Sequence, residues 1–116
     1  MGFIGRLLSK FSNGPAIQNL ENFDMIVEMK DGGIVLPIVS SQYLDDSKEV
    51  MDLLITKVNS YIAKIEAEEF KSKYSNYKYI KIELNCIKKP DQIIIHKIEE
   101  LDKKYQRQNI SFTWKK

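Results

Sequence analysis

The sequence predicts an α+β fold, a two-layer sandwich in which a mixed four-stranded sheet (ββαβαβ) carries two long helices on one face. Three observations predict it. Two apolar stretches alternate with period two around Asp31-Gly32-Gly33, which reads as a hairpin. Val50, Leu54, Val58, Tyr61, Ile62 and Ile65 recur at helical spacing. A strand, a second amphipathic helix and a last strand then follow between Tyr79 and Trp114, most simply a right-handed parallel crossover.

The first strand is expected over Phe23 to Lys30, with Phe23, Met25, Val27 and Met29 on one face. Gly32 and Gly33 tolerate the positive φ of a tight turn, and Ile34 to Val39 return. Pro37 lacks an amide hydrogen, so this strand is expected at an edge or with a bulge. Asp46 and Glu49 match a capping box, which starts the first long helix near Ser47. That helix is expected to run to a point between Glu68 and Ser72, where Phe70 and Tyr74 close its end. From Tyr79 to Lys88, Ile80, Ile82, Leu84 and Cys86 alternate with polar residues as a half-buried strand. Asp91 can cap the second helix, whose inner stripe is Ile94, Ile98, Leu101 and Tyr105. Ile110, Phe112 and Trp114 mark the final strand.

Residues 1–22 are expected to be an amphipathic helix and a linker, and residues 23–116 one α+β domain. Phe3, Ile4, Leu7, Leu8 and Phe11 share a side at helical spacing, opposite Arg6 and Lys10, and Ser12-Asn13-Gly14-Pro15 ends the pattern. This segment could dock on the domain's own uncovered sheet face, near Ile26, Val35 and Val39, or on a partner, or on a membrane surface. Two basic side chains contribute only about 1 kcal/mol each near an anionic leaflet, so membrane binding would be weak.

At 116 residues, 43% hydrophobic and 29% charged, the chain suits one globular domain and is too apolar for disorder. Arg6 and Lys10 supply the whole formal excess of +2, so the body from Glu21 onward is electroneutral. That is weak ground for a nucleic-acid partner, although Tyr77, Lys78, Tyr79 and Lys81 interleave aromatic and basic groups. The absence of a signal-like or spanning segment and a single cysteine lead us to expect a cytoplasmic protein, in contact with the inner membrane face if its first helix binds lipid.

Residues able to do chemistry are few. His96 should face solvent, and Cys86 lies on the core side of its strand. One His and one Cys leave a zinc site dependent on carboxylates, so no metal or cofactor is expected. The acidic clusters Glu66, Glu68, Glu69 and Glu99, Glu100, Asp102 read as solvated helix faces with lysine partners. Asp31-Gly32-Gly33 joins two strands and is no phosphate loop. The loop before the first long helix is the candidate contact: Tyr43, Leu44, Asp45 and Asp46 combine apolar groups with carboxylates. Its plainer reading is a staple in which Leu44 or Tyr43 packs back on the helix.

In Ile34–Ser40 (IVLPIVS), Leu53–Glu66 (LLITKVNSYIAKIE) and Tyr79–Asn85 (YIKIELN) the chain resembles a family of small bacterial α+β proteins of unknown function. The resemblance implies an accessory or immunity-type protein of a toxin system and transfers no catalytic residue. The basic N-terminal segment departs from that pattern. The expected function is a non-enzymatic protein-binding module, with a peripheral membrane-surface protein and a small-molecule-binding domain as alternatives.

Overall fold

A computed structural model describes residues 15–116, so the helix expected from Phe3, Ile4, Arg6, Leu7, Leu8, Lys10 and Phe11 lies outside the described residues. The elements are β1 (Val27–Glu28), β2 (Ile34–Val39), α1 (Lys48–Glu66), α2 (Glu68–Lys73), β3 (Ile80–Asn85), α3 (Gln92–Tyr105), a 3-10 turn (Gln106–Gln108) and β4 (Ile110–Lys115). The sheet runs β1-β2-β3-β4, with β1 antiparallel to β2 and the other neighbours parallel. The α+β class and the four-stranded mixed sheet are as expected; the order is ββααβαβ rather than ββαβαβ.

The difference arises at Ala67, which leaves helical geometry (φ −75°, ψ 148°) before the chain re-enters a helix. On an unbroken α1, Phe70 would fall off the apolar stripe. The break lets Phe70 bury its ring among Phe23, Tyr74 and Tyr77.

Strict alternation sets the layers. Ile34, Leu36 and Ile38, Ile80, Ile82 and Leu84, then Ile110 and Phe112 share one face and one core with the inner stripes of α1 and α3. Each fully buried Ile or Leu stabilises the fold by about 1.5–3 kcal/mol. Ala16 and Ile17, in the segment expected to be a linker, are buried in this core, and Ile17 bridges Ser40. The opposite face carries Val35 and Val39 on β2 and Lys81, Glu83 and Asn85 on β3. There Glu83 meets Lys81 and Lys115 at 3.7 and 3.4 Å.

The first strand is far shorter than the expected Phe23–Lys30, and Met25 and Met29 are exposed. Pairing stops because a side chain takes its place. The Tyr61 hydroxyl donates to the Pro37 carbonyl at 2.7 Å and accepts from the Asp24 amide at 3.0 Å. The Asp24 carboxylate accepts from the Val39 amide at 2.8 Å. By order β2 is an interior strand, which corrects the edge expectation. Pro37 is tolerated because its missing donor faces the stretch that β1 does not reach.

The hairpin turn follows expectation. Gly32 has φ +97°, and a Cβ on Gly33 would lie 1.9 Å from the Tyr79 ring. The Asp31 carboxylate accepts from the Gly33 amide and from the Tyr79 hydroxyl.

Candidate interaction surface

The loops after β2 and β3 meet above the carboxyl ends of these parallel strands, the end of an open sheet where ligands commonly sit. The Leu44 carbonyl accepts from the Asp91 amide at 2.9 Å and ties the loops together. Both helices start here. Ser47, rather than Asp46, is the N-cap of α1: its hydroxyl accepts from the Val50 amide, while the Asp45 carboxylate accepts from the Ser47 amide. Asp46 lies one residue before this N-cap and is exposed. Those bonds to Ser47 hold the Asp45 carboxyl below its ordinary range. Asp91 caps α3 as expected, accepting from the Ile93 amide.

The four loop residues expected to contact a partner separate into two sets. Leu44 is 1% exposed and belongs to the core. Tyr43 is 39% exposed, and the Lys88 ammonium lies 5.2 Å from its ring centre. Partial desolvation, then the carboxylates of Asp91, Asp45 and Asp46, push the Tyr43 hydroxyl above its ordinary range. Ile87 and Ile93, on the neighbouring loop and the first turn of α3, are 60% and 46% exposed. Beside Tyr43 a hollow of about 560 Å³ is lined by Pro15, Gln42, Asp45, Glu49 and Leu53 among others. Glu49 and Leu53 also line a second hollow of about 400 Å³ that runs on to Asp52 and Thr56.

The other sequence candidates sit apart from this surface. His96 is exposed on α3 against Gln92. Cys86 is buried, and burial pushes its thiol pKa up. Among the described residues no three His, Cys, Asp or Glu side chains are grouped to hold a metal ion, and no helix is long and apolar enough to cross a membrane. Tyr77 packs on Phe70 and Tyr79 bonds Asp31, so both tyrosines serve the hairpin and α2.

Sequence reasoning missed Lys57. It is 0% exposed, and its ammonium donates to the carbonyls of Gln18, Asn19 and Asn22 at 2.7, 2.7 and 3.0 Å and to the Asp24 carboxylate at 2.7 Å. The Phe23 ring stands edge-on to Tyr61 beside it. These acceptors occupy the ammonium's three hydrogens, so Lys57 is a clamp on residues 18–24 rather than a nucleophile. The signal was its spacing: Lys57 lies on the stripe of Val50, Leu54 and Tyr61, where a lysine demands a buried partner.

Neither the curated proteins nor the solved structures yield a match to this chain. A family description does match, over residues 15–116, the whole of the chain whose geometry is given above. The chain therefore belongs to the family of unknown function DUF6572.

Proposed function

We propose that this domain is a non-enzymatic protein-binding module, of the immunity type that neutralises a cognate bacterial toxin. The observation that carries the reading is the group of exposed apolar residues Tyr43, Ile87 and Ile93 on elements joined by the Leu44–Asp91 hydrogen bond. Tyrosine buries a large area at modest entropic cost, and Asp45 and Asp46 beside it supply charge for orientation. A standard interface needs about 800 Å² from each partner, which a domain of this size can offer. Leu44 holds the loop from inside and makes no partner contact in this reading.

The test is affinity capture with the tagged full chain in the encoding organism. A stoichiometric protein is expected, and recovery of none counts against the proposal. With that protein in hand, Tyr43→Ala should weaken binding by about 2 kcal/mol, roughly thirtyfold, the range of an aromatic hot spot. Unchanged affinity in both Tyr43→Ala and Ile87→Asp would move the interface elsewhere.

A further inference from the structure

The sheet ends on two edges, and each carries an aspartate where an added strand would bond. β4 is the last strand, paired on one side by β3. The Ile80 and Cys86 amides donate to the Asn109 and Lys115 carbonyls, so the odd-numbered residues of β4 face β3. By the period of two, the amides and carbonyls of Ile110, Phe112 and Trp114 face outward. In the middle of that row the Asp102 carboxylate, from α3, accepts from the Phe112 amide at 2.9 Å. On the far side of the sheet β1 pairs only Ile34 and Val35 of β2. Past them the outward Val39 amide donates to the Asp24 carboxylate at 2.8 Å, and Pro37 has no amide hydrogen to offer. An unpaired edge is a template for another chain, and charged side chains and proline are what native sheets use to blunt one.

We infer that Asp102 is a plug that keeps the β4 edge from pairing with the β4 edge of a second copy of this chain. The edge is self-complementary. Antiparallel pairing about a two-fold axis through Phe112 sets Phe112 against its own copy, Ile110 against Trp114 and Trp114 against Ile110. All three are outward residues, so every such pair exchanges both backbone bonds. At six residues β4 has the usual length of a strand and needs no extension to make this ladder. The backbone is what the edge offers, because Ile110 and Phe112 are buried in the core and Trp114 packs against it. Asp102 therefore stands at the centre of the ladder and holds the one amide that both copies need. Its negative charge also opposes the carbonyl that would replace it. The β2 edge stays closed without Asp102, since Asp24 is itself held by the Lys57 ammonium and the Pro37 carbonyl is taken by the Tyr61 hydroxyl.

Asp102→Ala in the full chain removes the plug and leaves the core as it is. Sedimentation equilibrium should show a doubling of mass with concentration that the parent lacks. Moderate salt serves here, because the pairing brings Lys116 of one copy near Arg107 of the other. Hydrogen exchange locates the contact: the Phe112 and Trp114 amides should gain protection in the associated sample over the diluted one, while Glu28 and Val39 stay unchanged. Adding Trp114→Pro, which removes an outward donor and spares the bonds to β3, should abolish the association. A variant that associates no more than the parent overturns the inference, and so does new protection at any place other than β4. The parent gives a test that no variant's folding can spoil. Its outward Trp114 amide should exchange far faster than the inward Thr113 amide, and equal protection of the two would mean an edge already covered, which overturns the inference as well.

Discussion

Between β3 and β4 the sheet is closed by repetition, and between β1 and β2 it is closed by individual side chains. The β3–α3–β4 half has six register pairs, an alternating strand and a helix stripe of Ile94, Ile98 and Leu101. Its side-chain stitches are peripheral: Asp102 accepts from the outward Phe112 amide at 2.9 Å, the Asn109 side-chain amide donates to the Lys78 carbonyl, and Lys115 meets Glu83 on the exposed face. The β1–β2 half has two register pairs. Beyond them Tyr61, Asp24 and Lys57 supply the hydrogen bonds that a longer strand would have made. Where a strand is cut short, buried backbone groups still require partners, and stability concentrates in the few polar residues that provide them.

Lys57→Met should break this comparison open. It removes one buried charge and leaves the Asp24 carboxylate and three carbonyls without their donor. Breaking a buried pair in this way costs about 3–5 kcal/mol. Urea denaturation should show the midpoint falling with little change of slope. A loss below about 1 kcal/mol would mean the clamp is solvated, and the two halves would then be held alike.

Leu84→Ala probes the repetitive half. Leu84 lies one residue from the end of β3 with its side chain fully buried, so truncation should cost about 2–5 kcal/mol, by lost transfer energy and a cavity. Its loss is shared over many neighbours, and Ile82→Ala should therefore behave similarly. On the stitched side the cost should instead depend sharply on which atom is removed.

Tyr61→Phe sharpens that contrast, because it deletes one oxygen and keeps the ring. The Asp24 amide and the Pro37 carbonyl lose their shared partner, for about 1–3 kcal/mol. The same hydroxyl gives a pH signature. Burial pushes its pKa up to about 12 from an ordinary 10.0, so the unfolded chain ionises first. Tyr61 thus contributes its full stabilisation below about pH 10 and loses it as pH rises toward 12. The Phe variant should lose stability less steeply over that window than the parent, and an equal slope would assign the alkaline transition to other groups.

The same contrast decides what could be read from residues alone. In β3, α3 and β4 each position's polarity announces its face, and Asp91 announces its helix start, so that half is legible. The stitched half looks regular over Phe23 to Lys30, yet only Val27 and Glu28 pair. Its real organisers, Lys57 and Tyr61, sit on the apolar stripe of α1 and reach 33 to 39 residues back along the chain. Alternation reports local faces and is blind to such distant polar contacts. The loop after β2 was half legible for a related reason: Tyr43 and Leu44 look alike by hydropathy, yet Leu44, whose carbonyl accepts from the distant Asp91 amide, is buried and Tyr43 is exposed.

The smallest effect is expected at Asp31, on the turn that begins the stitched half. The Gly33 amide, then the Tyr79 hydroxyl, hold its carboxyl below the ordinary value of 3.8, outweighing a small opposing desolvation. A depressed carboxyl contributes stability above its unfolded pKa and loses it as pH falls through its lower folded value. Asp31→Asn keeps an oxygen that can accept from Gly33 while removing the charge, which separates turn geometry from ionisation. The parent should therefore lose slightly more stability than the variant on acidification below about pH 4, at low salt. Because Asp31 is exposed, added salt should shrink that difference. Equal acid transitions at low salt would show that the turn rests on Gly32 and the Gly33 hydrogen bond alone, leaving the polar stitching to Lys57, Asp24 and Tyr61.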